Sequence, residues 1–357
     1  MEAWINYFIH NFILRHNMCK VKKNIYICLN SKTDTDLKRA KLILLIAGCV
    51  FFTQTLTVFA TPKVTNTKSK NQVAANSGIL LERGITAFNN YEFDEAADLF
   101  SQYRRSNGAK PEVAEEWEEK VNIASNAFDR VQQIVVLDSI TIPRASFYKA
   151  IKLAASAGRI GRPADFKTNV KVNNTEVSFL NEDSDYLITA EENEDGELTL
   201  VEYRKLLDGS WEKLEALEGD FEKEGDYAFP FLSADGQTLY FANNGPGSMG
   251  GYDLFIAQKE PITGESLQPL NLGMPFNSPY DDIMMAIDEE NGVGWWATDR
   301  NEPGGDLTVY VYIIDEIRKN YPSDTDNLEE YAKISNYKAT WQEGKETEYR
   351  KILSKLK

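Results

Sequence analysis

The sequence predicts a mostly β protein with an α-helical N-terminal part, and three observations predict it. Apolar residues recur at helical spacing between Ser77 and Phe128. From Gln132 onward, short runs rich in β-branched and aromatic residues alternate with turns containing Gly, Asn or Asp. Three stretches, Ser178–Tyr203, Asp226–Gln258 and Met284–Tyr312, can be laid over one another. Each has an apolar strand, an acidic or Gly turn, a second strand, a polar turn with Gly, and a third strand opening on Glu-Leu or Asp-Leu. Leu198, Leu254 and Leu307 occupy matching places, 56 and 53 residues apart. Matching units at one period signal a repeat architecture, and meanders of this length are expected to be β-propeller-like blades. At about 55 residues per unit, residues 132–315 hold three to four blades. The ring is then either small and irregular or an open arc completed by the helices.

The chain begins with a long extension. Residues 38–60 combine basic residues (Lys38, Arg39, Lys41), an apolar run from Leu42 to Phe52 and Val58-Phe-Ala60 as a small-residue cleavage site. This is a signal-peptide pattern within a 1–60 N-terminal extension, and export is the expectation. A single membrane anchor is the competing reading. Ile46-Ala-Gly-Cys49 also fits a lipoprotein box with Cys49 as the lipidated residue, although apolar Val50, Phe51 and Phe52 follow it. All three cysteines and both histidines lie in the first 49 residues. Cleavage after Ala60 would remove eight of 39 basic and three of 55 acidic residues, leaving 31 against 52 and a formal charge of −21. A Ser-His-Asp triad, a Cys nucleophile and an ordinary zinc site all need side chains that this mature chain would lack. The acidic balance excludes nucleic acid as an expected partner, because phosphate binding needs a basic surface.

Residues 61–76 read as a polar linker. A helical region is expected over 77–130. Leu81, Gly84, Ile85 and Phe88 share one face, Asn89-Asn90-Tyr91 breaks the run, and Ala96, Leu99, Phe100 and Tyr103 resume it. Asn107-Gly108 closes the second helix, and Pro111 opens a third with Trp117, Val121, Ala124 and Phe128 on one face. The spacing of Gly84, Phe93, Ala96 and Phe100 resembles one tetratricopeptide (TPR) repeat, while Arg83 and Ala87 depart from that pattern. A generic three-helix cap fits as well. In either case the hairpin must bury its apolar face against the next domain or a partner.

The β-rich domain is expected over 131–315. Gln132–Ile142 is its first strand candidate, Phe147–Ala155 a short helix, and Lys167–Val172 and Glu176–Leu180 further strands. Tyr186–Glu191 and Leu198–Tyr203 are joined by the Asn193–Gly196 turn, and Asp208-Gly209 turns before Trp211. In the middle unit Ser233-Ala-Asp-Gly236 is a turn whose Ser and Asp bond their own backbone and whose Gly supplies positive φ. Pro230, Ser233, Asp235-Gly236, Leu239-Tyr240-Phe241 and Gly250-Gly251-Tyr252-Asp253-Leu254 resemble the WD40-like β-propeller repeats of bacterial exported, TolB-type proteins. The third unit matches more loosely through Gly292, Trp295-Trp296 and Gly304-Gly305-Asp306-Leu307. A helical hairpin before such blades is similar to envelope proteins of Gram-negative bacteria that serve as scaffolds of outer-membrane machines. The resemblance implies a periplasmic place, or one at the periplasmic face of the outer membrane. It also implies protein partners within an outer-membrane complex, with the membrane itself reached only through an anchor at Cys49. Residues 316–357 form a C-terminal helical tail, with Leu328–Ile334 and Gln342–Lys357 as helices. Tyr349, Ile352, Leu353 and Leu356 stripe the last one, either docked on the blades or free for a partner.

Chemistry-bearing residues are few. Asp281-Asp282 and Asp288-Glu289-Glu290 are acidic clusters, but neighbours along a strand point to opposite faces and make no facing pair. Asn193–Glu197 and Asp299–Asp306 offer oxygen ligands for calcium without the twelve-residue loop spacing. No other cofactor is expected. Trp295, Trp296, Asp299 and Arg300 are the most concentrated candidate partner-binding surface, since aromatic residues and Arg dominate binding hot spots. Inter-blade packing is the competing reading of the same stretch. The expected function is therefore a non-enzymatic envelope scaffold for protein–protein interaction. A glycan-binding or carboxylate-dependent glycan-processing propeller is the alternative.

Overall fold

The computed structural model describes residues 67–357 apart from 171, 173–175, 217–223, 260–267, 316 and 357. The export segment, its cleavage site and Cys49 lie outside the described residues. Three helices come first: α1 (Thr67–Asn89), α2 (Phe93–Arg105) and α3 (Pro111–Phe128). The linker expected over 61–76 is helical from Thr67. Thr67–Asn76 contains neither Gly nor Pro, so nothing breaks a helix there, and it lacks the apolar stripe that periodicity would detect. Tyr91 takes a positive φ of 67° in the α1–α2 turn. Asp94 and Glu95 begin α2 and Arg104 and Arg105 end it, matching the helix dipole at both ends. Pro111 stands in the first turn of α3, where its missing N–H costs nothing.

The small residue in α1 has a steric reason. A Cβ on Gly84 would stand 2.5 Å from the ring of buried Phe100, so the two helices could not cross this closely with any larger side chain. Phe93 packs against Phe88, Tyr91 and Phe128, and Trp117 stacks on Phe100 at 5.1 Å. Arg83, which breaks the repeat pattern, is exposed and faces Glu95 at 3.5 Å.

Thirteen strands among the described residues make three antiparallel sheets. The first is β2 (Arg159–Gly161), β3 (Ser178–Leu180), β4 (Tyr186–Glu192), β5 (Leu198–Lys205) and β6 (Trp211–Ala216) in chain order. The middle sheet runs β7 (Tyr227–Leu232), β8 (Thr238–Asn243), β9 (Asp253–Gln258) and β10 (Leu270–Asn271). The third is β11 (Asp282–Asp288), β12 (Val293–Thr298), β13 (Leu307–Ile313) and then β1 (Val135–Ile142). Leu198, Leu254 and Leu307 lie at the starts of β5, β9 and β13, each the third strand when counted from β3, β7 and β11. β7 packs on β3, β4 and β5, and β11 packs on β7, β8 and β9, so the middle sheet lies between the other two. The described residues form no closed propeller; there are three sheets, one short of the smallest usual ring.

Two local expectations change. Lys167–Val172 contains no strand among its described residues; Lys167 has φ 53° and follows a 3₁₀ turn at Pro163–Phe166. The short helix expected over Phe147–Ala155 is instead two 3₁₀ turns, Arg144–Ala150 and Ala155–Ala157. The first of these touches β1 and β13 of the third sheet and β2 of the first. Its Phe147 packs on Phe229 of β7 at 6.2 Å, so it bridges all three sheets.

The helical layer shares a core with the loops of the sheets. Met249, Met274 and half-buried Tyr280 cluster with Phe88, Tyr91, Phe93 and Phe100, and the Tyr280 hydroxyl donates to the Asn89 carbonyl at 3.2 Å. Helix α4 (Leu328–Lys333) adds Leu328 and Ala332 to this cluster. Helix α5 (Glu346–Lys355) buries Tyr349 in the sheet core and rests Ile352, Leu353 and Leu356 on it, so the C-terminal stripe docks. Just before it, Trp341 Nε1 donates to the Val136 carbonyl at 2.7 Å, and the Thr340 hydroxyl accepts from Val136 N at 2.9 Å. These bonds satisfy edge strand β1 at its bulge, where the backbone would otherwise lie open.

Candidate functional site

The four residues expected to form a partner surface are all buried. Trp295 and Trp296 point to opposite faces of β12, as the pleat requires. Trp296 is fully enclosed, stacked on Tyr310 at 4.5 Å and edge-on to Phe276 and Tyr312. Trp295 is 7% exposed and lies between Ala286 and Val311 of the flanking strands.

Asp299 joins the loop after β12 to the start of β11. Its carboxylate accepts from Asp281 N at 2.9 Å and from Gly304 N at 2.7 Å. Burial pushes its pKa up, and those two N–H donors pull against the rise. Arg300 turns inward. Its Nη2 donates to Asp282 at 2.7 Å and to the Phe276 carbonyl at 2.9 Å, and its Nε donates to the Thr298 hydroxyl at 3.1 Å. Burial disfavours the guanidinium charge, but Asp282, Tyr91 and Tyr310 outweigh it and hold Arg300 cationic. The stretch is thus brought together as a structural joint, with no exposed side chain to offer a partner.

The acidic clusters resolve in the same way. Asp281 faces outward to Arg144 at 3.2 Å, while Asp282 is buried with Arg300 and Ser278. Asp288 caps its own turn through Asn291 and accepts from Ala154 N at 2.9 Å. The Asn193 side chain accepts from the N–H groups of Asp195 and Glu197 and so builds the turn. Among the described residues no group of three or more His, Cys, Asp or Glu is placed to hold a metal ion.

Among the described residues, buried Asp253 has no ion-pair partner. Asp253 in the Gly-Gly-Tyr-Asp-Leu motif accepts from Met249 N, Gly250 N and Asn271 Nδ2. Burial pushes its pKa up to about 7; the donors oppose the rise and Asp282 adds to it.

A cavity of about 300 Å³ lies between the middle and third sheets. Its floor is apolar: Leu272, Phe276, Met285 and Ile287 are buried there. Met285 and Ile287 share a face of β11, and Thr238 and Tyr240 share a face of β8 opposite, because strand side chains repeat every second residue. Tyr312 closes one wall, with its hydroxyl 3.4 Å from Met285 Sδ. Exposed Asp235, Glu289, Asp315 and Arg318 ring the mouth. Asp235 is committed to its turn, accepting from Gln237 N, Thr238 N and the Thr238 hydroxyl at 2.7–2.9 Å. Burial raises the pKa of Tyr240 and Tyr312, so both phenols keep their protons and remain donors.

The candidate surface drawn from sequence did not include this cavity. The acidic turn at 288–290 and the Ser-Ala-Asp-Gly turn were visible, but nothing in the sequence says that two turns more than 50 residues apart flank one opening. Comparison with family models, curated proteins and solved structures finds no match for the chain.

Proposed function

We propose that this protein is a non-enzymatic scaffold of the cell envelope that holds protein partners. It is exported by its 38–60 segment or anchored through Cys49. The observation that carries this reading is the shared core of Met249, Met274 and Tyr280 with the helices. It supports a rigid unit in which a TPR-like hairpin and WD40-like blades present their outer surfaces in a fixed relation. Two surfaces held in register are what a scaffold needs, because binding at one place is then coupled geometrically to binding at the other. The Gly84–Phe100 crossing supports the TPR-like reading, and the Asp235 turn and the three meanders support the WD40-like one. The test is recovery of tagged full-length protein from envelope fractions in mild detergent, with mass analysis of its mature N-terminus. Defined partners at constant stoichiometry are expected, and a protein that elutes alone refutes the reading.

A further inference from the structure

We propose that the cavity between the middle and third sheets is a recognition pocket for a lysine or arginine side chain of a partner polypeptide, presented next to an apolar residue. The inference deepens the scaffold reading and rests on it for the source of the ligand. Size decides the scale of the ligand first. A volume of about 300 Å³ is at the lower limit of small-molecule sites, enough for one or two side chains and too small for an oligosaccharide. Chemistry decides the body. Buried Leu272, Phe276, Met285 and Ile287 offer an apolar surface beside the hydroxyls of Ser233, Thr238, Tyr240 and Tyr312, so a long side chain with a methylene stem and a polar end is at home there.

Charge decides the head. Three carboxylates and one guanidinium stand at the mouth, leaving an excess of two negative charges on a protein that is already acidic overall. Asp235 spends its hydrogen-bonding capacity on its own turn. Among the described residues the carboxylates of Glu289 and Asp315 enter neither an ion pair nor a side-chain hydrogen bond. They are therefore the groups with acceptor capacity to give. Arg318 stands close enough to Tyr240 and Tyr312 to act on both phenols. Glu289 acts on the Tyr240 phenol as well, so Arg318 offsets part of the negative charge of the mouth and leaves the excess of two for an incoming cation. A basic side chain entering with an apolar neighbour would place its stem on Met285 and Ile287 and its charge among the carboxylates of the mouth.

The test uses the full chain with methyl-labelled Met and Ile, titrated with N-acetyl-Leu-Lys-Leu amide. N-acetyl-Leu-Glu-Leu amide and a chitin disaccharide serve as competing chemistries. The Lys peptide is expected to shift the Met285 and Ile287 methyl signals saturably. Raising salt from about 0.05 M to about 0.5 M should weaken its binding. The Glu289→Gln/Asp315→Asn double variant should weaken it about tenfold, a modest loss because exposed charge contacts are screened by solvent. Both substitutions are at exposed positions, so folding should be retained, and an unchanged thermal midpoint verifies it. Ile314→Trp, at the half-buried edge, should block binding by filling the opening. Equal or tighter binding of the Glu peptide or the disaccharide overturns the proposal. So do unmoved Met285 and Ile287 signals, or a double variant that binds as wild type. If the peptide binds but no envelope partner is recovered, the pocket stands and the scaffold reading falls. If wild type and double variant recover the same partners and the peptide does not bind, the pocket falls and the scaffold reading stands.

Discussion

Arg300 shows how much one side chain can hold together. It reaches β11 through Asp282, the segment before β11 through the Phe276 carbonyl, and its own strand end through Thr298. Removing one member of such a buried pair leaves the other charged and unpaired. Arg300→Met should therefore lower unfolding free energy by about 3–5 kcal/mol, measured by urea denaturation. Arg300→Met with Asp282→Leu should cost less than the single change, because the stranded carboxylate is gone as well. Asp253 makes a different prediction. Its pKa is raised to about 7 in the folded protein, against an unfolded value near the ordinary 3.8. Between these values the folded state binds more protons than the unfolded state, so this group's contribution to stability declines as pH rises from about 4 to about 7. Asp253→Asn should flatten the stability profile across that window in denaturation at a series of pH values. A variant profile as steep as wild type would remove Asp253 as the cause. The sequence placed Trp295, Trp296, Asp299 and Arg300 correctly on a strand and its following turn. It could not show that both faces were covered, because the covering residues come from distant parts of the chain.

At the scale of elements, turns and strands were the most legible features, because their signals are local. The Ser-Ala-Asp-Gly turn needs only its own residues: Gly236 supplies φ 67° and Asp235 holds the next two amides. The first ten residues of α1 were illegible for the opposite reason, because Val73, Ala74 and Ala75 are consecutive and make no stripe at helical spacing. The two 3₁₀ turns between β1 and β2 were legible only as one short helix over Phe147–Ala155. Their Phe147 is held by tertiary packing rather than by a repeat along the chain. The helix crossing gives a sharp test. Gly84→Val would drive a branched side chain into Phe100 and should destabilise by about 1–3 kcal/mol, the usual range for overpacking. Adding Phe100→Leu should recover part of the loss. Circular dichroism melts of the four proteins decide it, and additive losses would mean that the two residues do not share the site.

At the scale of the whole molecule, the sheets and both helical parts depend on one another. Deleting residues 341–357 removes the Trp341 bond to Val136 and uncovers the sheet core beneath Tyr349. The truncated protein should melt at lower temperature and bind a hydrophobic dye that the full chain excludes. A truncation with unchanged midpoint and no dye binding would reduce the tail to an ornament of the surface. Antiparallel sheets after the helices were legible from the alternation of strands and turns, whereas the order of the third sheet was not. Its outermost strand, β1, precedes the other two sheets in the chain, and no local pattern announces a partner so far away.

That pairing sets a timetable for folding. Ile142 meets Leu307, 165 positions later, and Val135 meets Ile313. As a chain grows from its N-terminus, β1 is complete before any of its hydrogen-bonding partners exists. Its amides must wait through the synthesis of the first two sheets, exposed as an open strand edge. Contacts of such separation close late and carry a large loop-closure cost, so the third sheet is expected to form last and slowly. The clasp that joins the two ends of the β domain in the finished protein is thus its longest-lived vulnerability during assembly. A chain held unfolded until its final strand is made would be spared that wait.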